Sequence, residues 1–165
     1  MTISSAAVLG GFYNATKALG TKSINSDAWF EIEGNADLAL LTKQFPWPTI
    51  GSMGEIEVAL PSGGKTWMGQ QVNTAQQGPI TFTETKGGRV MKFMKDIVAA
   101  GGEFNSTVYE GTPDKFTRAY KLVGCLFVPD ASDRDWENRS QLTLINGTLF
   151  YNWFGSELQG NDLSQ

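Results

Sequence analysis

Between residues 53 and 100 the apolar pattern changes period, and this restricts the fold more than any other stretch of the chain. In Glu55-Ile56-Glu57-Val58-Ala59-Leu60, Ile56, Val58 and Leu60 alternate with Glu55, Glu57 and Ala59. Period two predicts a strand with the first set on a buried face and the two carboxylates on the other. Pro61-Ser62-Gly63-Gly64 supplies a turn, a fixed φ followed by residues free to take positive φ. Thr66-Trp67-Met68 returns as the second arm, with Trp67 expected to be packed because of its size. Ile80-Thr81-Phe82-Thr83-Glu84-Thr85 alternates again and is rich in β-branched and aromatic residues. After Gly87-Gly88 the period changes. Val90, Phe93, Met94, Ile97 and Val98 stand at i, i+3, i+4, i+7 and i+8, one apolar stripe on a helix over about 88–100, closed by Gly101-Gly102. The expected fold is mainly β and antiparallel, with one packed α-helix.

The flanking segments extend this reading. Residues 1–26 form an N-terminal arm. Ser4-Ser5 can cap a short helix from Ala6 with Val8, Phe12 and Ala15 in phase, but Gly10-Gly11 weakens it, and an extended arm remains the alternative. The main domain is expected over 27–155, opening on the strand Ala28-Trp29-Phe30-Glu31-Ile32-Glu33. In Phe45-Pro46-Trp47-Pro48-Thr49-Ile50, two prolines around a tryptophan forbid a central strand or a helix and hold the chain extended. Such an apolar loop suits docking on a partner; folding over its own core is the plainer alternative. Phe104 to Tyr109 and Phe116 to Val128 read as strands, with Cys125 a small buried hydrophobe in the second. Residues 130–139 are charged, with Trp136 their single anchor. Asn146-Gly147 signals either a hairpin or one long strand with a glycine bulge. The tail over 156–165 is polar and expected to be loose.

The chemistry is largely one of exclusions. There is no histidine among 165 residues, so imidazole-based nucleophile activation and His metal sites are ruled out. One cysteine makes neither an internal disulfide nor a thiolate cluster, and fits assembly in a reducing cytoplasm. Ser62-Gly63-Gly64-Lys65-Thr66 ends like a phosphate-binding loop, but Ala59 stands where that motif needs glycine, and a hairpin turn explains the residues better. The pairs Glu31/Glu33 and Glu55/Glu57 are strand neighbours two apart, hence on one solvated or lumenal face. Asp130, Asp133, Asp135 and Glu137 lack the calcium-loop pattern. Neither catalytic residues nor a cofactor or metal site are assigned, and an enzyme is not expected. A net charge of −4 argues against an open basic groove for nucleic acid. Only 18% charged residues, with 19 glycines and five tryptophans, point to a surface partly covered by other chains. No apolar run reaches the length of a membrane helix, and the N-terminus lacks a secretory pattern.

The order of features resembles the tail-tube proteins of contractile-tailed bacteriophages, related in fold to the inner-tube proteins of type VI secretion systems. The resemblance covers nearly the whole chain and is one of pattern. It rests on an early aromatic strand (Trp29-Phe30-Glu31-Ile32), a Pro-containing segment (Phe45 to Pro48), the hairpin from Glu55 to Trp67, and the strand Ile80 to Thr83 before a single helix. It rests most on a strand closing in Pro129, followed by a final strand closing in Trp153-Phe154. The arm of residues 1–26 is longer than many members carry. The resemblance implies a β-sandwich whose sheets join around a hexameric ring, closing into a barrel with a central channel. Rings would stack through residues 45–77, with Phe45, Trp47, Ile50, Trp67 and Val72 at the contacts. Glu55 and Glu57 would line the channel, where a negative wall lets viral DNA slide without being bound. Implied partners are further copies of the chain and the tail sheath, baseplate and tail-terminator proteins. The implied location is the tail of a virion assembled in the host cytoplasm.

A reading from another class is a monomeric β-sandwich that binds a ligand or carbohydrate, with Trp47, Trp67 and Trp136 as a stacking platform. Tryptophan is more often core or interface than sugar platform.

Overall fold

The computed structural model describes residues 5–161. Its core is one seven-stranded sheet in which β1 (Ala28–Ile32), β6 (Glu103–Thr112), β7 (Lys115–Pro129), β8 (Leu144–Asn152), β5 (Ala75–Thr83) and β2 (Thr42–Gln44) lie side by side in that order, and β9 (Glu157–Gln159) pairs with β7. Every pairing is antiparallel. The mainly β, antiparallel expectation holds. Within the chain, however, the sheet is not closed into a barrel and does not divide into two separate stacked sheets. Its outer strands β1 and β2 are bridged by a 3-10 turn (Ala36–Leu41) instead of hydrogen-bonding each other. The sheet still curls far enough for Phe30 on β1 to stack on Phe45, just past β2, with ring centroids 5.5 Å apart.

The inner face of that curl is filled by residues two apart on β1, β5 and β8, while on β7 the irregularity between Val123 and Leu126 lets Leu122 and Cys125, three apart, share it. Phe30, Ile32, Ile80, Phe82, Val108, Leu122, Cys125, Ile145, Leu149 and Tyr151 form one apolar cluster, as the period-two pattern dictates. Helix α2 (Arg89–Ala99) closes it by inserting Val90 and Phe93, with Phe93 edge-on to Phe104 at 5.7 Å. Met94 and Ile97 are only half-buried, and Val98, expected in the stripe, is 76% exposed. At 100° per residue Val98 has rotated about 80° away from Val90, beyond the edge of a contact only two turns wide.

The Asn146-Gly147 signal resolves as a single strand. β8 runs through it, and its pairing with β5 is regular from Thr83↔Leu144 to Ala75↔Asn152. The irregularity lies instead in β7, between Val123 and Leu126. Gly147 is required for another reason: a Cβ there would collide with the Phe127 ring and the Val128 carbonyl on β7. The terminal segment, expected to be loose, is in part pinned, since β9 pairs with Arg118–Tyr120.

Two elements stand outside this body. Within the N-terminal arm, left open between helix and extended chain, Ala6–Ala18 form the helix α1, none of whose residues is buried, while residues 1–4 lie outside the described residues. Strands β3 (Glu55–Ala59) and β4 (Lys65–Gly69) form a separate two-stranded sheet. Its apolar residues were expected on a buried face, but Ile56 and Leu60 are exposed and Val58 is half-buried. Alternation assigns residues to a face; only a packing partner buries that face.

Candidate assembly interface

The exposed ribbon is built in stages from residue 45 onward. Phe45 is half-buried on Phe30, and Pro46 and Pro48 are buried, so the extended segment imposed by the prolines is clamped to the body at its start. Pro46 lies so close that a Cβ on Gly78 would come within 2.5 Å of its ring, which leaves room only for glycine on β5. Trp47 meets Tyr120 edge-on at 5.5 Å. Beyond it, the Gln76 side chain imitates a strand neighbour: its Nε2 donates to the Thr49 carbonyl at 2.7 Å and its Oε1 accepts from the Thr49 amide at 3.0 Å. Burial pushes the Tyr151 phenol up to about 12, so its hydroxyl stays protonated and donates to Gln76 Oε1 at 3.3 Å.

A neck follows. Backbone hydrogen bonds join Asn73 to Gly51, Met53 to Gln71 and Gln70 to Gly54 at 2.8–3.0 Å, around a bridge between Ser52 and Val72. The neck continues into the β3–β4 hairpin, whose turn takes positive φ at Ser62 and Gly63. Ser62 pays for that conformation as a non-glycine residue. The Ser-Gly-Gly-Lys-Thr sequence therefore makes a hairpin turn, as its context predicted.

The register decides what each hairpin face carries. Ile56 lies opposite Met68 and Val58 opposite Thr66, giving an apolar face; Glu55 lies opposite Gly69, Glu57 opposite Trp67 and Ala59 opposite Lys65, giving a charged one. Lys65 Nζ and Glu57 Oε1 form an ion pair at 2.7 Å. Trp67, expected to be packed, is 65% exposed on the charged face. Of the residues singled out in the sequence, Ile50 and Val72 are exposed on the neck, Trp67 projects from the hairpin beside Glu57, and Trp47 and Phe45 anchor the root. Trp136 is 94% exposed on the connection between β7 and β8. The tryptophans considered as a sugar platform do not stack on one another: Trp47 belongs to Tyr120, Trp67 to the hairpin and Trp136 to that connection.

Sequence reasoning missed the apolar exposure of Ile56 and Met68, as well as the bare helix α1. The available signal was the shortness of the 55–69 unit: two five-residue strands and a tight turn cannot wrap a core of their own.

At the root of α1, an open groove of about 870 Å³ runs between residues 21–29 and the β6–β7 turn. Arg118 Nε donates to Glu110 Oε2 at 2.8 Å, and Ser23 Oγ donates to Glu110 Oε1 at 3.0 Å. The Arg118 guanidinium holds the Glu110 carboxyl below its usual range against the opposing effect of burial. These bonds tie the arm's linker to the sheet. Among the described residues, no three of His, Cys, Asp or Glu converge on a point that could hold a metal ion.

No protein-family model and no curated protein sequence matches the chain. Solved structures do. A chain of the extended PVC sheath–tube complex of an extracellular contractile injection system superposes with a TM-score of 0.56 at 8% identity, covering 87% of this chain and 95% of that one. The tube-terminating cap of the anti-feeding prophage gives 0.56 at 9% identity, covering 85% and 93%. A chain of the anti-feeding prophage baseplate gives 0.57 at 13% identity, covering 85% and 97%. The chain has the fold of these contractile-tail, tube-like proteins.

Proposed function

We propose that this chain is a structural subunit of a contractile-tail particle, polymerising as stacked hexameric rings into the tail tube through which a phage genome passes into its host. The observation that carries this reading is the combination of a tube-like fold over most of the chain with an apolar ribbon that its own body leaves uncovered. In a ring, the free edges of β1 and β2 meet neighbouring copies, and a sheet open in one chain becomes a closed wall in six. The ribbon over 45–77 stacks one ring on the next. Ile50, Trp67 and Val72 make the contact, while Trp47 and Phe45 set the angle at which the ribbon leaves the body. Glu55 and Glu57 line the bore, where like charge keeps duplex DNA sliding. The outer surface and the tube ends meet sheath, baseplate and terminator proteins. The subunit acts in the virion tail after assembly in the host cytoplasm, with viral DNA as a passing cargo and no cofactor.

The test is the size of the purified chain by sedimentation velocity and negative-stain microscopy across a concentration series. Rings or rods with a central channel support the reading. A compact monomer at every concentration overturns it, and retention of that monomer on a polysaccharide column would establish the carbohydrate-binding alternative.

A further inference from the structure

Helix α1 and the β3–β4 hairpin each leave large apolar residues uncovered. α1 starts cleanly, with the Ser5 hydroxyl accepting from the Val8 amide as N-cap. Val8, Phe12, Ala15 and Leu19 recur at i, i+4, i+7 and i+11 and form one apolar stripe, yet Phe12 is 66% exposed and no residue of the helix is buried. A helix of thirteen residues interrupted by Gly10-Gly11 is marginal in water by itself. A two-stranded sheet is equally marginal unless a helix or a third strand covers its apolar face. The chain therefore contains an apolar helix without a sheet and an amphipathic sheet without a helix, and its own body covers neither.

We infer that the two cover each other between copies: α1 of one protomer lies across the Ile56–Val58–Met68 face of a neighbouring protomer's hairpin. This rests on the assembly reading above and names what the hairpin meets. The lengths agree, about 20 Å for thirteen helical residues and about 17 Å for each five-residue arm. Each copy donates one helix and accepts one, a heterologous contact that repeats around a ring or along a stack. The charged hairpin face, with Glu55, Glu57 and Trp67, stays free for the bore and the ring seam.

Two surface variants and one cross-link test this. Phe12 and Met68 are exposed in the single chain, so F12D and M68D leave its folding and melting unchanged. Each is expected to lower the assembled fraction in sedimentation velocity by roughly ten-fold or more, and F12K combined with M68E is expected to recover part of the loss. The double variant F12C/M68C, oxidised after assembly, is expected to give covalent dimers and higher ladders on non-reducing gels; Cys125 is buried and stays out of the reaction. Normal assembly of F12D together with no cross-link overturns the inference while leaving the assembly reading intact. A fast-migrating monomeric disulfide also overturns it, because the helix then covers its own hairpin. A wild-type chain that never assembles overturns both.

Discussion

Glu84 caps helix α2 from outside it. The residue in the N-cap position is Gly88, which has no side chain to offer. Glu84 reaches forward instead, its Oε1 accepting from the Val90 amide at 3.0 Å and the Thr85 amide at 2.8 Å, its Oε2 from the Met91 amide at 2.9 Å. Thr85 Oγ1 takes the Arg89 amide at 3.2 Å, so the amides that open the helix all find acceptors. Partial burial pulls the Glu84 carboxyl up, but the three amides outweigh it and the net shift is downward. A carboxylate with a depressed folded pKa stabilises the fold above its unfolded value, and that stability is lost as pH falls through the folded value. Glu84→Ala should therefore cost about 1–2 kcal/mol at neutral pH, read as a lower melting temperature. The difference from wild type should shrink below about pH 4. A pH-independent difference would mean that packing, not capping, is the residue's role.

At the scale of elements, α2 and the hairpin should respond in opposite ways. Phe93 is buried between Phe82 and Phe104, so Phe93→Ala should cost about 3–5 kcal/mol as a large-to-small change in the core. Thermal unfolding of the soluble variant measures it, and an unchanged midpoint would remove α2 from the core. Trp67 lies outside that core, and Trp67→Ala should leave the melting curve within about 0.5 kcal/mol of wild type. On the assembly proposed above it should nevertheless shorten or abolish the tubes, since contact energy concentrates in aromatic anchors. Normal-length tubes from this variant would return Trp67 to the status of an idle surface residue.

For the whole molecule, repetition matters more than any single charge. In the six-fold ring proposed above each side chain is multiplied, so small local changes become large potentials along its channel. Replacing Glu55 and Glu57 together by lysine reverses the local sign and removes the ion pair of Glu57 with Lys65, an exposed interaction of small worth. The double variant should still assemble, yet particles carrying it should release DNA more slowly, with a rate that depends more steeply on ionic strength. Dye-labelled DNA release at two salt concentrations measures both effects. Wild-type release at both would turn these carboxylates away from the bore, and failure to assemble would place them in a subunit contact.

The amino-acid sequence by itself determined the strand-rich class, the position of α2, the hairpin turn at Pro61–Gly64 and the strands that became β1, β5, β6 and β7. These are properties of short windows, in which side-chain period and turn residues act within a few positions. The tertiary structure alone decided which alternating faces are covered. The pattern Ile56, Val58, Leu60 looks the same as Ile80, Phe82, yet one is left bare and the other is buried, because only β5 lies between partners that bring α2 onto its face. It likewise decided that Asn146-Gly147 passes straight through a strand, since Phe127 and Val128 on β7, distant in sequence, require a residue without a side chain there. Glu84 as a remote cap was equally illegible, because its role depends on the path of Thr85 to Gly88 folding back over it. Local pattern specifies what a segment can form; burial depends on which other segments reach it.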